Sequence, residues 1–458
     1  MNNNRKFTLN TNQNIIVEFT DERIIPASGL AVVGALLGKS DFAKKLNRMD
    51  VTKNRSQHQI KNGDIILTYI GMLCMGKPYF EAVHEMDDDK AFYQAALSIT
   101  RSIPSEEPLR QRMDDIGDSL RETILNENVE LLISNKIHPT VLPNGFVPVD
   151  IDVTPMDNSK SKKEGVSRTY KGFDGYAPMM AYIGTEGYAI NFELREGKQH
   201  CQNGTVEFLQ ETIRLCKKLT DQPLLVRLDS GNDSIDNIAV LIDAGCYFII
   251  KRNLRRESKD GWFDMAKQYC QNITTPRDGK TVYVGSDWKD VHSKQFHKEF
   301  TLRTGYEITE RTVDKYGQIL LIPDVEVETW WTNLGAADEE IIQLYHAHGE
   351  CEQFHSEIKT DMDLERLPSG KFTTNALVLE LGLIAYNILR MIGQGTIGGR
   401  SPRQKRDVRR RRLHTVISNL IIMASHVTTH ARQLIMGLGK SNVWRHLFAD
   451  FCESSVAL

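Results

Sequence analysis

The order of hydrophobic patterns between residues 146 and 252 restricts the fold of this chain more than any other feature. Val147 to Val153 (VPVDIDV) alternates, the period-two signature of a strand. Val149, Ile151 and Val153 point one way, and Asp150 and Asp152 the other. Two strand-like runs follow, Tyr176 to Ile183 and Tyr188 to Leu194, joined by a turn containing Gly184. Gly204 to Lys218 reads as a helix with Val206, Leu209, Ile213 and Cys216 on one face. Pro223 to Leu228 (PLLVRL) is a short buried strand ending at Asp229. Ser234 to Ala244 is helical, and Cys246 to Lys251 (CYFIIK) is another strand.

Three strands in a meander, then helix, strand, helix, strand, is the order of a ribonuclease-H-like sheet, so the expected class is α/β. Strands one and four are neighbours in that topology. Asp152 and Asp229, at the ends of those strands, are therefore expected to meet. Asp150 shares the strand face of Asp152 and competes for the place of first acid. Asp233 competes less with Asp229.

Glu340 to Lys359 (EIIQLYHAHGECEQFHSEIK) is expected to be helical with two stripes. At about 100° per residue, Leu344, Ala347, Cys351, Phe354 and Ile358 form an apolar face. Tyr345, His348, Glu352 and Lys359 form a second stripe beside it. A phenol, an imidazole, a carboxylate and an ammonium at the edge of a buried face suit a site that handles phosphate and metal. The solvated flank of an amphipathic helix is the plainer alternative. His348, Cys351 and His355 offer a zinc alternative that lacks an evident fourth ligand.

Residues 1–145 are expected to be mostly helical. An apolar run from Gly63 to Met75 closes at Gly76-Lys77-Pro78, and Pro78 to Glu85 and Asp89 to Leu97 read as short helices. Ser105 caps the next helix, which carries Arg110 and Arg112, a composition that suits a DNA-end-binding domain. Residues 253–338 read as a β-rich insertion of short alternating runs holding Trp262, Trp288, Trp330 and Trp331. Residues 339–392 return to the core with the Glu352 helix. Residues 393–458 form a basic helical C-terminal region.

Arg400 to Arg412 holds eight Lys/Arg and one Asp, in a chain whose net charge is only −3. Such local clustering is a polyanion footprint, and Lys251, Arg252, Arg255 and Arg256 make a smaller one. A length of 458 residues allows two to four domains. The N-terminus, MNNNRKFTLN, shows no secretory signal. Seven scattered cysteines, an odd number with no CxxC pair, fit a reducing cytoplasm. The most apolar run, Ala376 to Leu389, reads as a buried helix too short and polar to span a bilayer, so no membrane partner is expected.

Asp152, Asp229 and Glu352 are three acids from separate segments that this fold brings together. Two hard cations bridged by such carboxylates activate a water or a 3′-hydroxyl. They also stabilise the leaving oxygen of an in-line phosphoryl transfer.

On these residues the chain resembles DDE transposases of bacterial insertion sequences. Within them it resembles the IS4-type superfamily, with its Tyr-(2)-Arg-(3)-Glu-(6)-Lys signature and β-rich insertion. The signature reads Tyr345, His348, Glu352, Lys359. The first acid falls in DIDVT at Asp152 and the second in RLDSGND at Asp229. The strand into Thr332-Asn333-Leu334 resembles the one closing the family's insertion, and AYNIL at Ala385 to Leu389 the helix after its active site. His348 departs from the family's Arg and lacks its bidentate fork and permanent charge.

The resemblance implies that Asp152, Asp229 and Glu352 bind two Mg²⁺ ions, for which Mn²⁺ substitutes. Tyr345, His348 and Lys359 are then expected to hold phosphates at the element's end, and Trp330 or Trp331 to stack a flipped base. Arg409, Arg410, Arg411 and Arg412, in the basic run, are expected to track the DNA backbone. The implied activity is cut-and-paste transposition on double-stranded DNA, through terminal inverted repeats and a target. A homodimer would pair two ends, in the bacterial cytoplasm at the nucleoid. A catalytically inactive transposase-derived DNA-binding protein and a ribonuclease-H-like nuclease are the alternatives.

Overall fold

The computed structural model describes residues 6–49, 51, 59–398 and 408–456. At its centre lies strand β1 (Val147–Val153), six of whose seven residues are buried. It pairs antiparallel with β2 (Met179–Ile183), which pairs antiparallel with β3 (Tyr188–Glu193). On its other side β1 pairs in parallel with β4 (Leu224–Leu228), and β4 in parallel with β5 (Tyr247–Lys251). Parallel pairing requires crossovers, supplied by α1 (Thr205–Leu219) before β4 and α2 (Ile235–Asp243) before β5. The β1–β4 register sets Arg227 opposite Asp150 and Leu228 opposite Ile151. One step further along, Asp229 comes beside Asp152.

The segment between β5 and the Glu352 helix starts with a helix, α3 (Lys259–Tyr269). Four strands come next, β6 (Asn272–Arg277), β7 (Lys280–Ser293), β8 (Lys298–Val313) and β9 (Ile319–Thr332). They extend the same sheet, giving the nine-strand order β6-β7-β8-β9-β5-β4-β1-β2-β3. Strands of 14 and 16 residues replace the short runs read from the sequence. The outer half of β9, from Ile319 to Val325, is largely exposed, so alternation between buried and solvated faces fades there. Asn333 completes the join to β5: its side chain accepts from the Phe248 N–H and donates to the Cys246 carbonyl, both at 3.0 Å.

Helix α6 (Phe372–Gly395) packs against β3, and every residue from Thr374 to Gly393 is buried. It is longer than the apolar run alone indicated. By length and composition it is apolar enough to cross a membrane, yet its apolar window is wholly buried within the protein. Asn387 is tolerated there because its amide accepts from the Ala189 N–H at 2.8 Å and donates to the Ala189 carbonyl and Asn128.

One hydrophobic cluster extends from Ile25 to Phe451, so the flanking regions share a core with the sheet. Neither flank is wholly helical. Lys6–Leu9 and Ile15–Glu18 form a hairpin ahead of the N-terminal helices. The C-terminal region contains a second hairpin, Ser425–His430 with Gln433–Leu438, whose first strand also pairs with Ile24–Ile25. The β-branched run Val427-Thr428-Thr429 favours a strand there. Ser105 stands at the N-cap of Glu106–Ile116 but makes no side-chain capping bond.

Candidate active site

Asp152 and Asp229 emerge side by side from β1 and β4. Asp152 keeps 22% of its side chain exposed and accepts only the neighbouring Val153 N–H, at 2.7 Å. Asp229 accepts from the Asn232 amide at 2.8 Å. Among the described residues no lysine or arginine pairs with either carboxylate. Burial first, and the Asp229 charge second, push the pKa of Asp152 up to about 6. Two adjacent carboxylates without an internal counter-charge fit a hard divalent cation, which takes oxygen ligands.

Asp150, the competitor two residues earlier, is fully occupied. Arg227 donates to both of its oxygens, at 2.6 and 2.7 Å, and His348 Nδ1 lies 2.8 Å from Oδ1. Burial opposes ionisation of Asp150, but Arg227 and His348 outweigh it and hold the pKa below its ordinary value. Arg227 also donates to the Leu344 carbonyl at 2.7 Å. This clasp ties β1 and β4 to the Asp338–His346 helix and uses His348, expected on DNA, as an internal partner. Asp233 is likewise engaged, by the Trp331 indole N–H and the Asn253 N–H, both at 2.9 Å.

The Glu340–Lys359 stretch is not one uniform helix. It runs through α4 (Asp338–His346), a 3-10 turn at Ala347–Glu350, α5 (Cys351–Ser356) and a π turn at Glu357–Asp361. A 3-10 turn advances about 120° per residue, so four such residues rotate the downstream helix by roughly 80° relative to uniform α winding. Glu352 therefore leaves the line of Tyr345. It is exposed and lines a cavity of about 650 Å³ with Glu350, Arg409 and Arg410 among others. Tyr345 is half-buried with its ring on Trp330, at 5.7 Å. Lys359 donates to the Pro155 carbonyl at 2.5 Å, and burial lowers its pKa.

Two side chains of this segment approach Asp152, Cys351 and His355, the latter with Nδ1 3.8 Å from Oδ2. His355 is buried, its Nε2 has no hydrogen-bond partner, and burial lowers its pKa to about 3. Its ligand atom, that of Cys351 and that of Asp152 lie within 4.8 Å of one another. The zinc alternative thus loses His348 to Asp150.

Two further expectations change. Trp330 is fully buried and Trp331 nearly so, the latter under the Arg252 guanidinium at 4.2 Å, so neither has a face free for a base. Trp288, 63% exposed on β7, is the accessible indole of the insertion. In the basic run, residues 400–407 lie outside the described residues. Arg411 is buried, donating to the Thr396 hydroxyl and carbonyl and lying over Trp444. Arg410 pairs with Glu350 at 3.0 Å, and Arg412 makes a forked contact with Asp361. Arg409 is exposed. Internal partners have thus taken up Arg410 and Arg411, which composition marked for DNA, while Arg412 pairs with Asp361 but stays exposed.

Sequence reading passed over Arg227, and it placed His355 in a zinc alternative without expecting it beside Asp152. An arginine inside PLLVRL was a signal, since a buried guanidinium needs an acid on the neighbouring strand. His355 had a weaker one, its place three residues after Glu352. Tyr170, reaching the Val153 carbonyl at 3.3 Å, was also missed; burial, then Asp152 and Asp229, push its pKa up to about 12.

No curated protein matches the chain. Among solved structures it is similar to a piggyBac transposase synaptic complex with hairpin DNA. That likeness covers 80% of this chain and 73% of the other at 10% identity, with a TM-score of 0.35, too low to carry any inference. The family model described as "Transposase DDE domain group 1" matches residues 7–455, and the chain belongs to that family.

Proposed function

We propose that the protein is a DNA transposase that cuts its element's ends and joins the freed 3′-hydroxyls to target DNA. The observation that carries this reading is the uncompensated Asp152–Asp229 pair at the ends of two parallel strands, in a chain of the DDE family. Residues 146–252 and 339–392 are taken as two parts of a ribonuclease-H-like core, with 253–338 inserted between them. The five-strand order β3-β2-β1-β4-β5 supports this. The IS4-type subgroup, a bacterial source and a synaptic homodimer belong to the same proposal.

Asp152 and Asp229 would hold the metal, and Glu352 is the assigned third acid. Bound Mg²⁺ or Mn²⁺ supplies the positive charge that polarises the phosphodiester and activates the attacking oxygen. Lys359 and Tyr345 border the same acids and orient the DNA end. Asp150, Arg227 and His348 hold strands and helix in register. Arg409 contacts the DNA backbone from the cavity beside Glu352. Its replacement by Gln is expected to lower the salt slope of end binding by about one.

The exposed position of Glu352, outside the ring of ligand atoms at Asp152, favours the non-catalytic DNA-binding alternative. One assay separates the two: cleavage of labelled duplex carrying the sequence that flanks the gene, with Mg²⁺ or Mn²⁺. Cleavage by wild type, lost in Asp152→Asn and in Glu352→Gln while binding persists, is the expected result. Binding without cleavage by wild type in both metals selects the non-catalytic protein. Cleavage unaffected by Asp152→Asn refutes the assigned site.

A further inference from the structure

We propose that Asp152, Cys351 and His355 form a binding site for a thiophilic divalent ion of the zinc class. Such an ion would displace the hard ion from Asp152. Three observations converge. The ligand atoms of the three residues lie within 4.8 Å of one another. His355 is 5% exposed, its Nδ1 faces Asp152 Oδ2 at 3.8 Å, and its Nε2 has no hydrogen-bond partner. Cys351 and His355 stand four residues apart on consecutive turns, the spacing that brings two side chains to one face of a helix.

The donor set is one oxygen, one sulfur and one nitrogen. Mg²⁺ is poorly served by it, whereas zinc-class ions bind all three and leave a fourth position open. Binding breaks the Cys351 S–H bond, forms a sulfur–metal bond and releases one proton to water. A hard ion, which cannot displace that proton, leaves Cys351 as part of the apolar core, where it is 2% exposed. One chain can therefore hold either a hard ion on its acids or a soft ion one helical face away, with Asp152 shared between them. Inhibition by zinc rests on the transposase reading; the coordination itself does not.

The test is X-ray absorption of the full-length protein loaded with one equivalent of Zn²⁺, paired with Co²⁺ titration followed by absorption and proton release. The expected zinc shell has one sulfur, one imidazole nitrogen and light atoms for the rest. Co²⁺ is expected to give a sulfur-to-metal charge-transfer band and release one proton per ion. Cys351→Ala should abolish that band, and His355→Ala should weaken binding about tenfold or more. Cys351→Ser, checked by circular dichroism, serves if the alanine variant does not fold. A zinc shell without sulfur or without imidazole overturns the proposal, as does a charge-transfer band that survives in the folded Cys351 variants. A sulfur-containing shell in a protein that cleaves no DNA leaves this site standing and removes only the transposase reading.

Discussion

Asp150 and Asp152 sit two residues apart on one strand, on the same face, and face opposite electrostatic situations. Asp150 has an arginine on both oxygens and a histidine besides. Asp152 has its own neighbour's N–H, a second carboxylate and a distant imidazole. The first is a closed circuit, in which both oxygens meet donors and the charge is cancelled inside the protein. The second is open, with negative charge left for something outside the chain to cancel. Within a shared strand, the compensated carboxylate is tied into the structure, and the uncompensated one is the carboxylate to which we assign the chemistry.

The largest expected effect comes from opening the closed circuit. Asp150→Ala leaves the Arg227 guanidinium buried without its acid. It is expected to destabilise the fold by about 3–5 kcal/mol, read from urea melts. The opposite sign is expected at the open pair. Asp152→Asn removes a carboxylate whose ionised form the fold disfavours, and should raise stability at pH 8 by on the order of 1–3 kcal/mol. The pH dependence sharpens this. Because the folded pKa of Asp152 lies near 6, above that of an unfolded aspartate, the native state binds the extra proton. Its contribution is therefore full below about pH 4 and is lost as pH rises through about 6. The stability difference between wild type and Asp152→Asn should vanish near pH 4 and reach its plateau above pH 7. Divalent-ion affinity should move the other way, rising with pH through the same range.

A smaller effect is expected at His348. His348→Ala removes one of three contacts to Asp150 and should destabilise by about 1–2 kcal/mol, with His348→Asn, which keeps a donor near the Nδ1 position, recovering part of it. A pronounced loss of DNA affinity in His348→Asn, with stability intact, would instead make this residue a DNA contact. The smallest effect belongs to Trp288→Ala: exposed on β7, it should change stability by less than about 0.5 kcal/mol. Any change in DNA binding would then report the insertion's surface alone.

The strand order, the parallel neighbours and the meeting of Asp152 with Asp229 were legible because each rests on local alternation and on few permitted topologies. Three features were not. Trp330 and Trp331 looked like stacking platforms, but their strand turned out to be the seam where the insertion joins β5, and a seam residue is buried from both sides. Arg410, Arg411 and Arg412 formed a basic run in sequence, yet after folding Glu350 and Thr396 take up the first two and Asp361 pairs with the third. Glu352 was placed by a helical wheel that assumed constant winding, and the 3-10 turn at Ala347–Glu350 broke that assumption. In each case a long-range contact or a change of winding decided the outcome, and neither is written in residue spacing.

The most direct test of the contrast between the two aspartates is iron-directed cleavage of the polypeptide. Fe²⁺ replaces the divalent ion, peroxide and ascorbate generate radicals at the bound metal, and the cut sites are mapped by mass spectrometry. The account predicts cuts clustered at residues 151–154 and 228–231, abolished by Asp152→Asn or Asp229→Asn. Cuts that persist in both variants, or a wild-type protein cut nowhere near these strand ends, would contradict it.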